Sequence, residues 1–346
     1  MAQKAMIAMS GGVDSSVAAY LTQQAGFDCL GATMRLLERT SSDVADAQAV
    51  AERLCMPFHV LDFTEDFRQE VMEAFVHCYE AGLTPNPCVV CNRRLKFGAL
   101  LDAALAMGCD YIVTGHYAQI HQANGRYLLK KAMDQTKDQS YFLYALTQQQ
   151  LAHVRFPLGE LTKEQARQIA EAQGFVNARK RDSQDICFIP GGDYYEFLKE
   201  FTGKEYPAGN FVDTDGTIVG KHHGAVAYTR GQRKGLGIAM GHPVYVLDKN
   251  MENNTVTVGE NEALFSTSLL ANDWVFGPFD TLAEPMRCMA KARSRMAEQP
   301  ATVYPEGNGV CRVVFDQPQR ALTTGQAVVL YEGDIVIGGG TITEIL

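Results

Sequence analysis

Two thiols, those of Cys88 and Cys91, are the first candidates for chemistry, because they stand three residues apart in TPNPCVVCNRRLKFG (84–98). The prolines on either side of Asn86 keep that residue out of helical conformation, so we expect a helix to begin at the cysteines. A helix N-terminus and nearby bases lower the pKa of a thiol, which predicts thiolates here. The bases are Arg93, Arg94 and Lys96.

A C-x-x-C pair can also be half of a zinc site. The chain contains no second C-x-x-C and no H-x3-H to complete such a site. A structural zinc ion is therefore the less favoured interpretation of this pair.

Cys187 is the third cysteine of interest, in KRDSQDICFIPGG (180–192), a segment too polar for a core strand. It follows a basic cluster, Arg179, Lys180 and Arg181. Only the fold can bring it to the C-x-x-C pair. The remaining cysteines lie in apolar or helical surroundings and are predicted to be small buried side chains: Cys29, Cys55, Cys78, Cys109, Cys288 and Cys311.

The stretch SGGVDSS (10–16) has the residue types of an anion-binding loop. Gly11 and Gly12 let the backbone approach a phosphate, and a helix starting near Val13 adds the positive end of its dipole. The serine hydroxyls are further donors. Asp14 would repel a bare phosphate, so we expect it to bind a Mg²⁺ ion that bridges phosphates. The loop lacks the lysine of a Walker A loop, and a capped strand–helix turn is the alternative.

Strands and helices alternate around this loop. Apolar runs predict strands at 5–9, 29–34, 58–63 and 111–115, and helices of 3.6-residue periodicity lie between them. Such alternation predicts an α/β fold with a parallel sheet, in which ligands bind beyond the carboxyl ends of the strands. Thr162 and Gln165 have capping-box spacing, which predicts a later helix that ends at Gly174.

Short alternating segments with glycine-rich turns follow from about residue 205, which predicts β-structure. We expect three domains: an α/β domain at 1–200, a small central domain at 201–266 and an antiparallel β-barrel at 267–346. The chain has 346 residues and a net charge of −9, and no apolar run approaches the ~20 residues that span a bilayer. We expect a cytoplasmic protein with no membrane partner.

The loop resembles the PP-loop of the ATP pyrophosphatase superfamily, whose members split ATP between its α- and β-phosphates. The resemblance implies that the loop, with two residues after later strands, holds ATP: Ala8, Met9, Ser10, Gly11, Gly12, Val13, Asp14, Ser15, Met34 and Gly115.

Over nearly its whole length the chain further resembles the tRNA-specific 2-thiouridylases. The resemblance is carried by SGGVDSS, TPNPCVVCN, TGHYA with KDQSYFLY, DSQDICFI and GQRKGLGI. It implies ATP-dependent adenylation of the C2 oxygen of the tRNA wobble uridine, followed by sulfur transfer to C2. Cys187 would receive sulfur as a persulfide from a sulfur-donor protein. Cys91 would release that sulfur by forming a Cys91–Cys187 disulfide.

The resemblance also implies that residues 1–200 form the ATP-binding catalytic domain and that the central domain, 201–266, binds tRNA. Asn86, Pro87 and Cys88 would meet the target base. The implied tRNA-contacting residues are His116, Lys137, Asp138, Gln139, Arg293, Ser294 and Gln326, and Gln232, Arg233 and Lys234 would meet phosphate. Because basic runs lie in or near these motifs, a patchy tRNA footprint is compatible with an acidic protein.

Two departures from the family pattern stand out. Many members have aspartate, assigned to the target-base site, where this chain has Cys88. This leaves open a second mechanism, in which Cys88, Cys91 and Cys187 hold a [4Fe–4S] cluster that delivers sulfide. Ser294 stands where the family often has tyrosine, so one aromatic contact with tRNA is missing.

Two other classes of function fit these residues less well. A PP-loop ligase acting on a small molecule needs neither the paired cysteines nor a C-terminal barrel. A non-catalytic RNA-binding protein with a structural metal needs neither an intact SGGVDSS loop nor Cys187.

Overall fold

The computed structural model describes residues 2–37, 41–180 and 186–346. The strands of these ranges, in chain order, are β1 (Lys4–Ala8), β2 (Asp28–Arg35), β3 (Phe58–Asp62), β4 (Tyr111–Val113), β5 (Gln119–Ala123), β6 (Arg126–Lys130), β7 (Val154–Arg155), β8 (Gly209–Val212), β9 (Ile218–His222), β10 (Tyr245–Asn250), β11 (Thr255–Gly259), β12 (Phe265–Phe276), β13 (Met286–Lys291), β14 (Gln299–Gly307), β15 (Val310–Arg320), β16 (Ala327–Glu332) and β17 (Ile335–Ile345).

The α-helices of the same ranges are α1 (Val13–Gln24), α2 (Ser41–Arg53), α3 (Thr64–Phe67), α4 (Ala74–Glu80), α5 (Pro87–Val90), α6 (Leu100–Ala106), α7 (Ser140–Leu143), α8 (Gln148–Ala152), α9 (Lys163–Ala172) and α10 (Tyr194–Thr202). Two π-helical segments join neighbouring α-helices without a break. Arg68–Glu73 connects α3 to α4, and Cys91–Ala99 connects α5 to α6.

The N-terminal part is built on a parallel sheet with strand order β3-β2-β1-β4-β7. Successive side chains of β1 point to opposite faces, so Met6 enters one buried cluster while Ala5 and Ile7 enter another. Both faces are covered by helices, as expected for such a sheet. The predicted strands, the parallel sheet and the α/β class are confirmed.

Helix α9 has the predicted cap. The Thr162 hydroxyl accepts a hydrogen bond from the Gln165 backbone N–H, and the Gln165 side chain accepts one from the Thr162 backbone N–H. The helix ends before Gly174, whose φ of +64° favours glycine.

Two β-structures follow, as predicted. The first is a four-stranded sheet of order β10-β11-β8-β9. The second is a closed antiparallel barrel of six strands, β12-β15-β14-β13-β16-β17, in which β17 pairs back to β12. No helix in the described part of the chain combines the length and the apolar composition that crossing a membrane requires.

The hairpin of β5 and β6 was not predicted. Its turn, Asn124-Gly125, has positive φ at both residues (52° and 75°), the conformation that Asn-Gly favours in two-residue hairpins. The hairpin extends the barrel sheet, because Lys130 of β6 pairs with Ile335 of β17. An element of the N-terminal part is therefore joined to the C-terminal barrel.

The prediction of six buried cysteines is wrong in part. Cys29, Cys109 and Cys311 are buried, but Cys78 and Cys288 are half-buried and Cys55 is exposed. Cys55 follows α2 with a φ of +51°, where the chain turns out of the helix and leaves the side chain at the surface.

Candidate functional site

The glycine–serine loop lies where β1 ends and α1 begins. Gly11 has a φ of +69°, and a Cβ there would lie 2.3 Å from the Asp43 carbonyl oxygen, so only glycine fits. Ser15 ties the loop together, because its hydroxyl accepts from the Ser10 N–H at 3.1 Å and donates to the Gly12 carbonyl at 3.0 Å. The loop is thus preformed around its own backbone.

Two side chains from residues 177–180 brace the same loop from outside. Asn177 is buried and donates to the Gly11 carbonyl at 3.0 Å and to the Ser16 hydroxyl at 2.9 Å. Lys180 donates to the Gly11 carbonyl at 3.3 Å and pairs with Asp43 and Asp46. Sequence reasoning placed Lys180 only in a basic cluster and missed Asn177. Arg181 of that cluster lies outside the described residues.

The remaining residues predicted for ATP lie along one edge of the sheet. Ala8 ends β1, Met34 is the penultimate residue of β2 and Gly115 follows β4 by two residues. Since β2, β1 and β4 are neighbours, their carboxyl ends meet at the loop. Gly115 approaches it most closely, because a Cβ there would lie 2.6 Å from the Asp14 carbonyl carbon and the Ser15 nitrogen. Binding of ATP by these residues stays a prediction.

Asp14 makes the strongest contacts in the loop. Both carboxylate oxygens accept hydrogen bonds from the Lys163 ammonium at 2.7 Å, and Oδ1 also accepts one from the Tyr117 hydroxyl at 2.9 Å. Lys163 begins α9 and was not singled out from the sequence. A capped helix start with a lysine at its first position is a signal that could have drawn attention to it.

The cysteine pair lies at the start of a helix, as predicted. Asn86 precedes the helix in extended conformation (φ −113°, ψ 90°), and Pro87 is the first helical residue. Cys88 and Cys91 share one side of the helix, since residues three apart are neighbours. Cys91 also opens the π-helical segment, a geometry common at functional sites.

The π-helical segment affects which base faces the thiols. In an α-helix, five residues turn through about 140° beyond a full turn, which would carry Lys96 away from Cys91. The wider π-turn, bonded from residue i to i+5, narrows that separation. The Lys96 ammonium lowers the pKa values of Cys88, Cys91 and Cys187.

The predicted thiolates are nevertheless wrong for this structure. Desolvation by the surrounding protein raises the pKa values of the solvent-exposed Cys88 and the buried Cys91 by more than Lys96 lowers them. The two arginines do not contribute, because Arg93 pairs with Asp273 and Arg94 lies 4.0 Å from Glu70. The cysteines are therefore thiols at neutral pH.

The fold brings Cys187 to the pair. The Cys187 side chain is exposed to solvent. Desolvation by the surrounding protein, together with repulsion from Cys91 and Cys88, nevertheless raises the pKa of Cys187 to about 11. The next residues, Phe188 and Ile189, are buried in one cluster with Cys91. All three cysteines are free. Within the described ranges, no group of three cysteine, histidine or acidic side chains is arranged to hold a metal ion.

His116 lies beside the same site, packed between the rings of Phe97 and Phe156. Its Nδ1 is 2.6 Å from the Thr114 hydroxyl. Burial, helped by the Lys96 ammonium, lowers the pKa of His116 well below its usual value. The imidazole is therefore neutral at physiological pH. Its predicted contact with tRNA stays a prediction.

Two members of the segment Lys137–Asp138–Gln139 serve the structure itself. Asp138 accepts from the Ala132 N–H at 2.9 Å and from the Ser140 hydroxyl at 2.7 Å. Gln139 exchanges two hydrogen bonds of 2.9 Å with the Tyr117 backbone. Because Tyr117 contacts Asp14, this segment is connected to the glycine–serine loop.

A residue of the barrel part contacts the segment that precedes the cysteine helix. The Gln326 side chain donates to the carbonyl oxygens of Thr84 at 2.8 Å and Pro85 at 3.1 Å, just before Asn86. Arg293 bonds to the Thr323 hydroxyl, and Ser294 next to it is half-buried. Contacts of these residues with tRNA also stay predictions.

Three family models match the chain. Residues 3–191 match the tRNA methyl transferase HUP domain, residues 195–260 the tRNA methyl transferase PRC-barrel domain, and residues 266–342 the aminomethyltransferase beta-barrel domain. Fold, loop and matches together define the class: a HUP-domain protein joined to two β-domains.

Curated relatives narrow this class. The tRNA-specific 2-thiouridylase MnmA of Clostridioides difficile strain 630 is 47% identical over 100% of this chain and 99% of its own length. That of Acetivibrio thermocellus is 49% identical over 98% and 99%. The chain belongs to the tRNA-specific 2-thiouridylase MnmA family.

Solved structures resemble the chain more distantly. The U34-tRNA thiolase NcsA from Methanococcus maripaludis, determined with its [4Fe–4S] cluster, is 17% identical, with a TM-score of 0.38, and the match covers 57% of this chain and 64% of that one. A similarity of this size says nothing about a cluster in this chain.

Proposed function

We propose that this chain is a tRNA-uridine 2-sulfurtransferase that uses ATP. The observation that carries the proposal is that Phe188 and Ile189, which follow Cys187 directly, are buried in one cluster with Cys91 of the C-x-x-C pair. Family membership over the full length supports the substrate, a uridine in tRNA. The preformed loop at the carboxyl ends of the strands supports ATP as the second substrate.

The chemistry needs both parts of the site. The C2 carbonyl of uracil is a poor electrophile, and transfer of AMP from ATP to its oxygen, with loss of pyrophosphate, makes that oxygen a leaving group. Sulfur then forms a bond to C2 and AMP departs. Holding ATP, uridine and sulfur together accounts for much of the rate.

Cysteine chemistry supplies the sulfur in this proposal. A sulfur-donor protein leaves a persulfide on Cys187. The Cys91 thiolate attacks the inner sulfur of that persulfide, so that a Cys91–Cys187 disulfide forms and hydrosulfide leaves to attack C2. A dithiol reductant must then return both cysteines to thiols. The raised pKa values require a proton acceptor for Cys91 at neutral pH.

The alternative in which the three cysteines hold a [4Fe–4S] cluster is not favoured. Their arrangement, within the described residues, does not form a metal-binding group. Mg²⁺ on Asp14 does not fit either, because both carboxylate oxygens are bonded to Lys163. No step of the proposal depends on either group.

We also propose the domain boundaries 1–200, 201–266 and 267–346. The three sheets and the family-model ranges 3–191, 195–260 and 266–342 support a division into three, although the first boundary falls inside α10 (Tyr194–Thr202) and the second just after the start of β12 (Phe265–Phe276). The cytoplasm, where tRNA and ATP are both present, is the proposed location.

The test is a reaction of the purified chain with unmodified tRNA, ATP and a persulfide donor, followed by mass spectrometry of the nucleosides and measurement of AMP. We expect 2-thiouridine and tRNA-dependent AMP. Cys91→Ser and Cys187→Ser should abolish 2-thiouridine, whereas Cys55→Ser, which changes an exposed cysteine outside the site, should not. A methylated product formed without sulfur, or full activity of Cys91→Ser, would overturn the proposal.

Cys88 decides a further point. Cys88→Asp, which restores the residue that many relatives carry, should retain activity if position 88 only faces the base. Unchanged activity in Cys88→Ala would show that Cys88 has no role in the reaction. Iron is then measured after anaerobic purification of wild type and Cys88→Ala. Iron in the wild type that is lost in Cys88→Ala would indicate a cluster, and its absence from both would exclude one.

A further inference from the structure

The Asp14 carboxylate is engaged in a way that its place in the loop does not predict. A carboxylate beside phosphates is expected to bind Mg²⁺, because it otherwise repels them. In this structure an ammonium lies 2.7 Å from both oxygens, in the space that a metal ion would take. The Tyr117 hydroxyl at 2.9 Å fixes the orientation of the carboxylate.

Lys163 is held firmly in this position. It is the first residue of α9, whose capping box fixes the start of the helix. Its backbone N–H donates to the Asp134 carboxylate at 3.1 Å, and its side chain is 10% exposed. A buried ammonium needs a partner, so Asp14 and Lys163 stabilise each other.

The charge balance of the loop follows from this pair. Walker A loops carry their own lysine, which contacts the β- and γ-phosphates, but SGGVDSS has none. Asp14 alone would give the loop a negative charge. With Lys163 bound, Asp14 and Lys163 are neutral as a pair, and the loop gains a cation beside Asp14 that its own sequence lacks.

We propose that Lys163 binds the β- and γ-phosphates of ATP and that Asp14 is the residue that positions it. This inference rests on the proposed use of ATP by the loop. The cation that contacts the phosphates is then not part of the loop but the first residue of α9, 149 residues after Asp14 in the chain.

Calorimetric titration of the full chain with ATP and with AMP, in Mg²⁺ and without tRNA, tests the proposal. Lys163→Met should lower the affinity for ATP at least about tenfold, since a cation near the phosphates is lost, and should leave the affinity for AMP nearly unchanged. A purely structural role would weaken both nucleotides alike. Lys163→Arg, which keeps the charge, should restore part of the affinity for ATP.

The matched control is Lys131→Met. Lys131 is as buried as Lys163 and pairs with Glu298 at 2.6 Å, but on the barrel side of the molecule. It should lower thermal stability as Lys163→Met does without changing ATP binding.

Asp14→Asn, which has the same shape, carries the test if the methionine variant does not fold. Asp14→Asn should weaken ATP binding, but the Mg²⁺ concentration at which ATP binding reaches half its maximum should stay the same. A raised Mg²⁺ requirement in Asp14→Asn, or unchanged ATP binding in Lys163→Met, would overturn the inference alone. Failure of the wild-type chain to bind ATP would overturn the proposed function as well.

Discussion

Replacing Gln326 with alanine tests how the barrel acts on the cysteine site. The substitution removes two hydrogen bonds, to the carbonyl oxygens of Thr84 and Pro85. A buried carbonyl left without a partner costs about 1–3 kcal/mol. Since both residues are half-buried and water can reach part of the junction, we expect each carbonyl to cost an amount near the lower end of that range, about 2 kcal/mol for the pair.

The larger effect should fall on activity. These carbonyls immediately precede Asn86 and the helix that carries both cysteines, and a displacement of 1 Å in a catalytic group can cost about a hundredfold in rate. Gln326→Ala should therefore lower the rate of 2-thiouridine formation and increase the labelling of Cys91, which is buried in the intact structure, by a thiol reagent, with little change in tRNA affinity.

The matched control is Gln319→Ala. Gln319 also lies in the barrel and donates to a backbone carbonyl, but this is the carbonyl of Gln317 in its own strand and not one in the segment before the cysteines. It should cost stability without changing thiol labelling. If Gln326→Ala instead weakens tRNA binding and leaves labelling and rate at saturating tRNA unchanged, Gln326 contacts tRNA and the bracing role is refuted.

Three further predictions concern single side chains. Alkylation of Cys187 should accelerate as pH rises toward its pKa of about 11, and Lys96→Met should slow it at every lower pH, because Lys96 lowers that pKa; peptide mass spectrometry checks this, and an unchanged rate in Lys96→Met contradicts it. Lys249→Met should stabilise the fold by up to about 3 kcal/mol at pH 7, because burial lowers the pKa of Lys249 from 10.5 to about 8 and each pKa unit corresponds to about 1.4 kcal/mol. Below pH 8 both the folded and the unfolded chain carry the proton on Lys249, so the folded wild type bears the full cost of a buried charge. Between pH 8 and 10.5 only the unfolded chain keeps that proton, so the difference in unfolding free energy between variant and wild type, measured in urea, should become smaller. Gly115→Ala should cost about 1–3 kcal/mol by overpacking and weaken ATP binding, because its Cβ would lie 2.6 Å from the Ser15 nitrogen; an unchanged melting temperature would show that the loop yields.

Much of the fold could be predicted from local patterns. Strands that are buried on both faces and helices of regular periodicity are visible in short windows, and the capping box at Thr162 specified the start of α9. The Asn-Gly turn at 124–125 was an available signal for the missed hairpin. Its attachment to the barrel was not, since pairing of Lys130 with Ile335 depends on the whole fold.

The candidate site divides in the same way. The residue types at the loop and at the cysteines indicated phosphate and sulfur chemistry, but not the protonation state of the thiols. That state depends on burial, and burial outweighs Lys96 at Cys91. The contact of Lys163 with Asp14 could not be predicted either, because the two residues are 149 positions apart and nothing in the local pattern of either segment indicates the contact.

The first sheet and the barrel share one buried cluster, in which Met6 and Tyr141 lie with Val329, Tyr331 and Val336. The Tyr141 hydroxyl also donates to the Ala327 carbonyl at 2.8 Å. During synthesis the N-terminal part leaves the ribosome first, and part of its apolar surface must wait uncovered until strands β16 and β17 have been made. A chain interrupted in the barrel would therefore keep apolar surface exposed on its N-terminal part, so the N-terminal part depends on the last strands of the barrel for its own burial.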